Sequence, residues 1–210
     1  MLKDELINEL KIRCIRMMEL TFNDVNLAIK SLKEHKDNTV NDDEIDAFHM
    51  EIESECLKIL LKEQVYSKDL RVVTGILKLV DDVERIGDHA EDLLWCISKL
   101  NHAEKFVELK ALNKQIEEVS ELITLTLKAY LQEDIDLANE NIKSDDAIDK
   151  TYLEVLDELE EKKNTLGDQN LIIYNTLISK YLERIADHLV NINEWIVYIK
   201  NGYYKSKVIV

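Results

Sequence analysis

The string ERIGDH at Glu84–His89 recurs as ERIADH at Glu183–His188, an offset of 99 residues. The same offset carries Asp69 onto Asp168 and Arg85 onto Arg184. Upstream, DDEID at Asp42–Asp46 recurs as DDAID at Asp145–Asp149, and Glu51 as Glu154, at an offset of 103. Self-similarity at a fixed spacing is the mark of one structural unit used twice. The two offsets differ by about one helical turn, which places the insertion in the connection between the second and third elements of each unit.

The unit itself reads as helical. Proline is absent and glycine occurs only at Gly75, Gly87, Gly167 and Gly202, so the residues that punctuate sheets and tight loops are nearly missing. Apolar residues recur at three-to-four spacing from Leu2 to about Glu34, through Leu6, Leu10, Cys14, Met17, Val25, Ile29 and Leu32. After a polar break at His35–Asn41, further helical patterns cover about Ile45–Val65 and, from the first-turn or capping carboxylate Asp69, about Asp69–Leu100. The second half gives about Ala103–Leu131, Asp145–Lys163 and Asp168–Lys200, with Gln132–Ser144 at least partly helical. The expected fold is all-α: two tandem three-helix bundles, six helices, divided into residues 1–102 and 103–210 with the boundary near Asn101–Lys105.

A net charge of −16, from 43 acidic against 27 basic residues, sets the chain against a phosphate backbone, so nucleic acid is excluded as a partner. The same acidity suits cations, basic protein surfaces or plain solubility. Cys14, Cys56 and Cys96 are odd in number and about 40 residues apart, which fits core residues of a reducing compartment rather than a disulfide framework or a zinc cluster. The start, MLKDELINEL, lacks the basic-then-apolar pattern of an export signal, and no run approaches the roughly 18 to 20 apolar residues of a membrane span. A cytoplasmic, non-integral protein is expected.

On a helix at about 100° per residue, with Glu84 at zero, Asp88, Asp81 and Asp92 fall near 40°, 60° and 80°. Val83, Ala90 and Leu94, and on the far side Ile86, Leu93 and Ile97, lie away from this acidic stripe. The second copy places Glu183, Asp187, Asn191 and Glu194 on the equivalent face, with Lys180 in the position of Asp81. Carboxylates at i and i+4 repel by a few tenths of a kcal/mol per pair, so something must offset them. A divalent or trivalent cation held by oxygen ligands would do so: iron, magnesium, manganese, zinc or calcium, a closed structural zinc site being disfavoured. Asp46, Asp149, Glu51 and Glu154 recur in both units and are candidate ligands from neighbouring helices. Ordinary salt bridges to Arg85, Arg184 or nearby lysines, or a helix contact used twice, would also account for the stripes.

His89 and His188 are either interfacial residues or ligands, the former being commoner for a lone histidine. Neither unit has the Glu-x-x-His spacing of ferritin-like di-iron helices, since Glu84 and His89 are five apart and diverge by about 140°. No nucleophilic triad, phosphate loop or zinc-protease motif is present. The chain therefore reads as no enzyme; the alternative is a carboxylate-bridged metalloenzyme or metal-storage helical protein.

The strings DLRVVTGILKLVDDVERIGDHAEDL at Asp69–Leu93 and YLERIADHLVNINEW at Tyr181–Trp195, with DDEID and DDAID, resemble the PhoU family over essentially the whole chain. The family's acidic signature carries over to Glu84 with Asp88 and to Glu183 with Asp187. The resemblance implies metal ions, including multinuclear clusters, held on the bundle surface. It also implies a peripheral cytoplasmic adaptor that restrains phosphate uptake and phosphate-starvation signalling, contacting the phosphate ABC transporter and a membrane sensor histidine kinase; a homodimer is expected. Asn191 stands where the first copy has Asp92, so the two sites are not equivalent. The first is the denser in carboxylates and the one expected to load if only one does.

Overall fold

A computed structural model describes residues 2–40, 43–63, 65–102, 107–205 and 207–208. Seven helices follow in chain order: α1 (Leu2–Glu34), α2 (Asp43–Lys62), α3 (Ser67–Asn101), α4 (Lys110–Gln132), α5 (Ile135–Ile142), α6 (Asp145–Leu166) and α7 (Gln169–Asn201). A two-residue ladder, β1 (Tyr203–Tyr204) with β2 (Lys207–Val208), runs antiparallel after α7. The six long helices are those expected from periodicity, three in each half. The expected boundary at Asn101–Lys105 falls largely on residues 103–106, outside the described residues.

Helix α4 begins later than its apolar pattern. Val107–Leu109 is not helical, and the backbone N–H groups of Lys110 and Ala111 donate to the Glu158 carboxylate of α6 at 3.2 and 3.0 Å. A side chain from another helix thus satisfies two of the donors a helix start leaves open. The segment left partly helical is α5, capped by Asp134, whose carboxylate accepts from the Leu137 N–H at 3.0 Å. Asp168 caps α7 in the same way, accepting from the Asn170 N–H at 2.9 Å. Glu133, between α4 and α5, takes a left-handed conformation (φ 49°) and binds both Lys11 of α1 and Lys200 of α7. That arrangement ties the two halves together and holds the Glu133 carboxyl at about 2, chiefly through Lys200 and Lys11.

The two halves share one hydrophobic cluster rather than two. Helices α3 and α7, the third long helix of each half, pack against one another and form its centre. Each is buried nearly all round: Val72, Ile76, Leu79, Val83, Ile86, Ala90, Leu93 and Ile97 of α3, and Ile178, Leu182, Ile185, Leu189, Ile192 and Ile196 of α7. All three cysteines are buried free thiols, their pKa values pushed up to about 12 by burial.

Close approach at the seam depends on Gly75. A Cβ there would lie 2.3 Å from Ile199 Cγ1 and 3.0 Å from Cδ1. Gly75→Ala gains helix propensity of about 1 kcal/mol, yet it overpacks the seam, and the expected net destabilisation is about 1–3 kcal/mol. The urea midpoint measures it, and Ile199→Ala in the same background is expected to recover part of the loss. A Gly75→Ala protein as stable as wild type would show that the seam does not require the glycine.

Candidate metal site and the seam beside it

Three carboxylates converge in the second half. Asp145 and Asp149 lie one turn apart in the first turns of α6, and Asp187 faces them from α7; one carboxylate oxygen from each lies within 4.8 Å of the others. Glu183 stands one turn before Asp187 on α7. Burial, then Glu183, Asp145 and Asp149, raise the Asp187 pKa against the opposing pull of Arg184. The Asp145 carboxyl is raised by burial, then by Asp149, Asp146 and Glu183, with Lys205 acting against them. Both shifts come first from burial and then from carboxylate repulsion that Arg184 and Lys205 oppose only in part.

Three basic groups sit at the margin. Lys180 donates to both Glu183 oxygens at 2.6 Å. Arg184 lies 3.7 Å from Asp187, and Lys205 lies 3.7 Å from Glu194, a residue one more face-repeat along α7. Glu183 and Glu194 are only 12% and 14% exposed, and Glu194 Oε2 is buried without a hydrogen-bond partner.

The first half is arranged differently. Glu84 is raised by burial, then by Asp88, with Arg85 and His49 opposing and Asp46 adding to it. Arg85 spans Glu84 at 3.4 Å and Asp88 at 3.0 Å. Asp81 turns to His49 Nε2 at 3.0 Å and Lys78 at 3.1 Å, while Asp92 lies 3.6 Å from His89. Among the described residues no third carboxylate joins Glu84 and Asp88 within such a group; Asp42, the residue in register with Asp145, lies outside them. Glu51 pairs with Arg13 of α1, and Glu154 with Lys114 of α4 at 3.0 Å, so neither faces these sites. In the second half the oxygens that join Asp187 come from a second helix, α6, which the density of carboxylates along one helix does not report.

Asn191 is drawn elsewhere. Its amide donates to Asp82 Oδ1 at 3.1 Å, alongside His188 Nδ1 at 2.8 Å, while Trp195 Nε1 donates to Asp82 Oδ2 at 3.2 Å. Asp82 of α3, 14% exposed, thus collects three α7 side chains across the seam. The residue in register with Asp82 is Tyr181, whose ring lies 5.6 Å from His89, and the His89 and His188 rings lie 5.7 Å apart. The two histidines therefore flank a local pseudo-twofold axis and serve the interface. Sequence reasoning missed Asp82 and Asp145. Asp82 falls near 160° on the α3 wheel, among Ile86, Leu93 and Ile97, and a carboxylate on an apolar face signals a buried partner. Asp145 was signalled by the DDAID repeat.

Such a bundle, with one three-helix unit used twice and an acidic patch at the junction of the second and third helices of the unit, defines a class of tandem-repeat helical proteins. The PhoU domain matches this chain twice, at residues 13–95 and 112–196, one match in each half. The chain belongs to the PhoU family. A phosphate-specific transport system accessory protein PhoU homolog from Clostridium acetobutylicum is 29% identical over 206 residues, covering 93% of each chain. Homolog 1 from Thermotoga maritima is 30% identical over 195 residues, 89% of this chain and 84% of its own. The crystal structure of PhoU from Pseudomonas aeruginosa superposes with a TM-score of 0.85 at 25% identity, over 95% of this chain and 99% of that one.

The two aspartates of α3 and α7 are expected to act in opposite directions. A carboxyl whose pKa is raised on folding binds its proton more tightly in the folded state, so stability is greatest below the ordinary carboxylate range and is lost as pH rises through the raised value. In chelator at pH 7, Asp187→Asn is expected to stabilise by a few tenths to about 1 kcal/mol, discounted for partial exposure, and to have no effect at pH 3. Asp82→Ala leaves three donors without an acceptor and is expected to cost about 2–3 kcal/mol at pH 7. Urea unfolding at the two pH values measures both; an Asp187→Asn protein less stable than wild type at pH 7 would contradict the repulsion.

Proposed function

We propose that this chain is a metal-binding regulatory adaptor of phosphate transport, acting from the cytoplasm. The regulatory part rests on family membership and on relatives named as accessory proteins of the phosphate-specific transport system. Among the described residues no helix is long and apolar enough to cross a membrane, which suits a partner that approaches the transporter from one side. In this reading the adaptor lowers uptake when phosphate is ample, contacting the transporter and a sensor histidine kinase, and pairs with a second copy of itself.

The convergence of Asp145, Asp149 and Asp187 carries the metal part. The donor set is oxygen only, drawn from two helices, and Asp145 and Asp187 carry raised proton affinities, set first by burial, that a bound cation would reverse. It fits hard ions such as magnesium, calcium, manganese or iron, and contains neither cysteine nor histidine for a closed zinc site. Glu183 would complete the ligand set from α7. Glu84 and Asp88, with Asp46, would hold a second ion in the first half. A bound ion would turn an anionic patch into a locally cationic one and so change which partner surface it attracts.

The experiment pairs chemistry with physiology. Protein purified without chelator is analysed for metal, then titrated with manganese(II). The Asp145→Ala/Asp187→Ala protein is expected to lose the second-half site, and Glu84→Ala/Asp88→Ala the first. In cells lacking their own copy, wild type is expected to restrain phosphate uptake in ample phosphate and the quadruple variant to fail. A quadruple variant with unchanged metal content that still restrains uptake would defeat the proposed role of the acidic patches.

A further inference from the structure

Helix α2 commits one face to the bundle and leaves the other open. Its buried residues are Ile45, Ile52, Cys56 and Ile59. On a helix at about 100° per residue, with Met50 at zero, they fall between about 180° and 240°. The opposite face, from about −20° to 60°, carries Ala47, Met50, Ser54, Leu57 and Leu61, all exposed. Met50 is 63% exposed, Leu57 45% and Leu61 84%. Spacings along this ridge alternate between three and four residues, the a/d pattern of a two-stranded coiled coil, with Ala47, Ser54 and Leu61 at a and Met50 and Leu57 at d. Single exposed leucines are ordinary, whereas apolar side chains in heptad register on a free face mark a packing surface.

The flanks of the ridge say what packs there. Glu53 occupies a g position and Lys58 the e position five residues on. That separation turns them about 140° apart, so they do not pair within α2. Arg13 of α1 goes to Glu51 and Glu55 instead, and among the described residues neither Glu53 nor Lys58 has an ion-pair partner. In a parallel pair of identical helices the g residue of one copy faces the e residue of the other five positions on. Glu53 of each copy then meets Lys58 of the other. Antiparallel pairing sets g against g and e against e, like charge against like. The free face of α2 is therefore complementary to itself in one orientation.

We infer that α2 is the face on which a second copy of this chain packs, parallel and about a two-fold axis running along the ridge. The inference rests on the reading that the chain pairs with itself, and adds the face and the orientation. The second half has no equivalent ridge: at the 103-residue offset the five positions become Lys150, Leu153, Asp157, Glu160 and Asn164. Self-pairing there would set like charges face to face. A ridge of five side chains falls short of a standard interface, and each copy carries a net charge of −16, so the pair is weak and depends on concentration.

Sedimentation equilibrium of the full chain, across the micromolar range in about 0.15 M salt, reads the association. Wild type is expected to dimerise reversibly. Leu57→Ser/Leu61→Ser is expected to weaken the dimer by at least about tenfold, with an unchanged urea midpoint because both side chains are exposed. Glu53→Lys, which sets lysine against lysine, is expected to weaken it by about three- to tenfold, and Glu53→Lys/Lys58→Glu to restore it. A dimer as strong in Leu57→Ser/Leu61→Ser as in wild type would overturn the α2 face while leaving self-pairing standing on another surface. Failure of the double charge exchange to restore what the single one loses would overturn the parallel alignment. A wild-type chain that stays monomeric at every concentration would overturn both the face and the reading of self-pairing beneath it.

Discussion

The packing of α3 against α7 is the interaction on which the rest of this structure depends. Each is the third long helix of its half, each carries an acidic stripe, and each is buried on most of its circumference by its own bundle and by the other. A three-helix unit of about 100 residues buries its own core incompletely. Joining the two along their longest helices merges the cores into one. Gly75 permits the approach and Asp82 fixes its register, since a carboxylate with donors from His188, Asn191 and Trp195 is satisfied in one alignment of the helices and stranded in a neighbouring one.

That seam also decides where the acidic groups end up. With the apolar circumference of α7 committed to α3, α4 and α6, the stripe containing Glu183 and Asp187 is left at the junction with α6, whose first turns bring Asp145 and Asp149 to it. The N-terminal end of α6 carries the positive pole of the helix dipole, which offsets part of the aspartates' repulsion. Burial first, and then the repulsion that remains, raises the proton affinity of Asp145 and Asp187. The three aspartates are thus brought together by packing elsewhere, Asp187 of α7 meeting Asp145 and Asp149 of α6.

Much of this was legible in the sequence because helical periodicity and a duplicated string are both local signals. The six long helices followed from apolar spacing, and Glu183 with Asp187 from the ERIADH match. What was not legible came from elements meeting in space. Asn191 occupies the stripe on the helix wheel, yet Asp82 on another helix captures its amide. Glu51 and Glu154 recur in register, yet Arg13 and Lys114 claim them. The start of α4 depended on Glu158, 47 residues beyond Ala111. The hairpin after α7 is too short to leave a periodic signature, and it is placed by contacts back to α7, among them the Tyr204–Trp195 stack and the Lys205–Glu194 ion pair.

The departures from the repeat set the two acidic patches apart. At the 103-residue offset Tyr152 replaces His49, removing the imidazole that binds Asp81 in the first half. At the 99-residue offset Lys180 replaces Asp81, Glu194 replaces Trp95 and Tyr181 replaces Asp82. The three exchanges at the 99-residue offset bring in a lysine, supply a buried carboxylate that pairs with one, and trade a carboxylate for a ring at the seam. Among the described residues the first half sets His49 and Arg85 near Glu84, while the second half brings three aspartates together with Arg184 beside Asp187 and Lys180 on Glu183. Two acidic patches built on one repeated pattern therefore differ in their partners, because the residues exchanged at matching positions draw different neighbours to carboxylates that the repeat itself keeps in place.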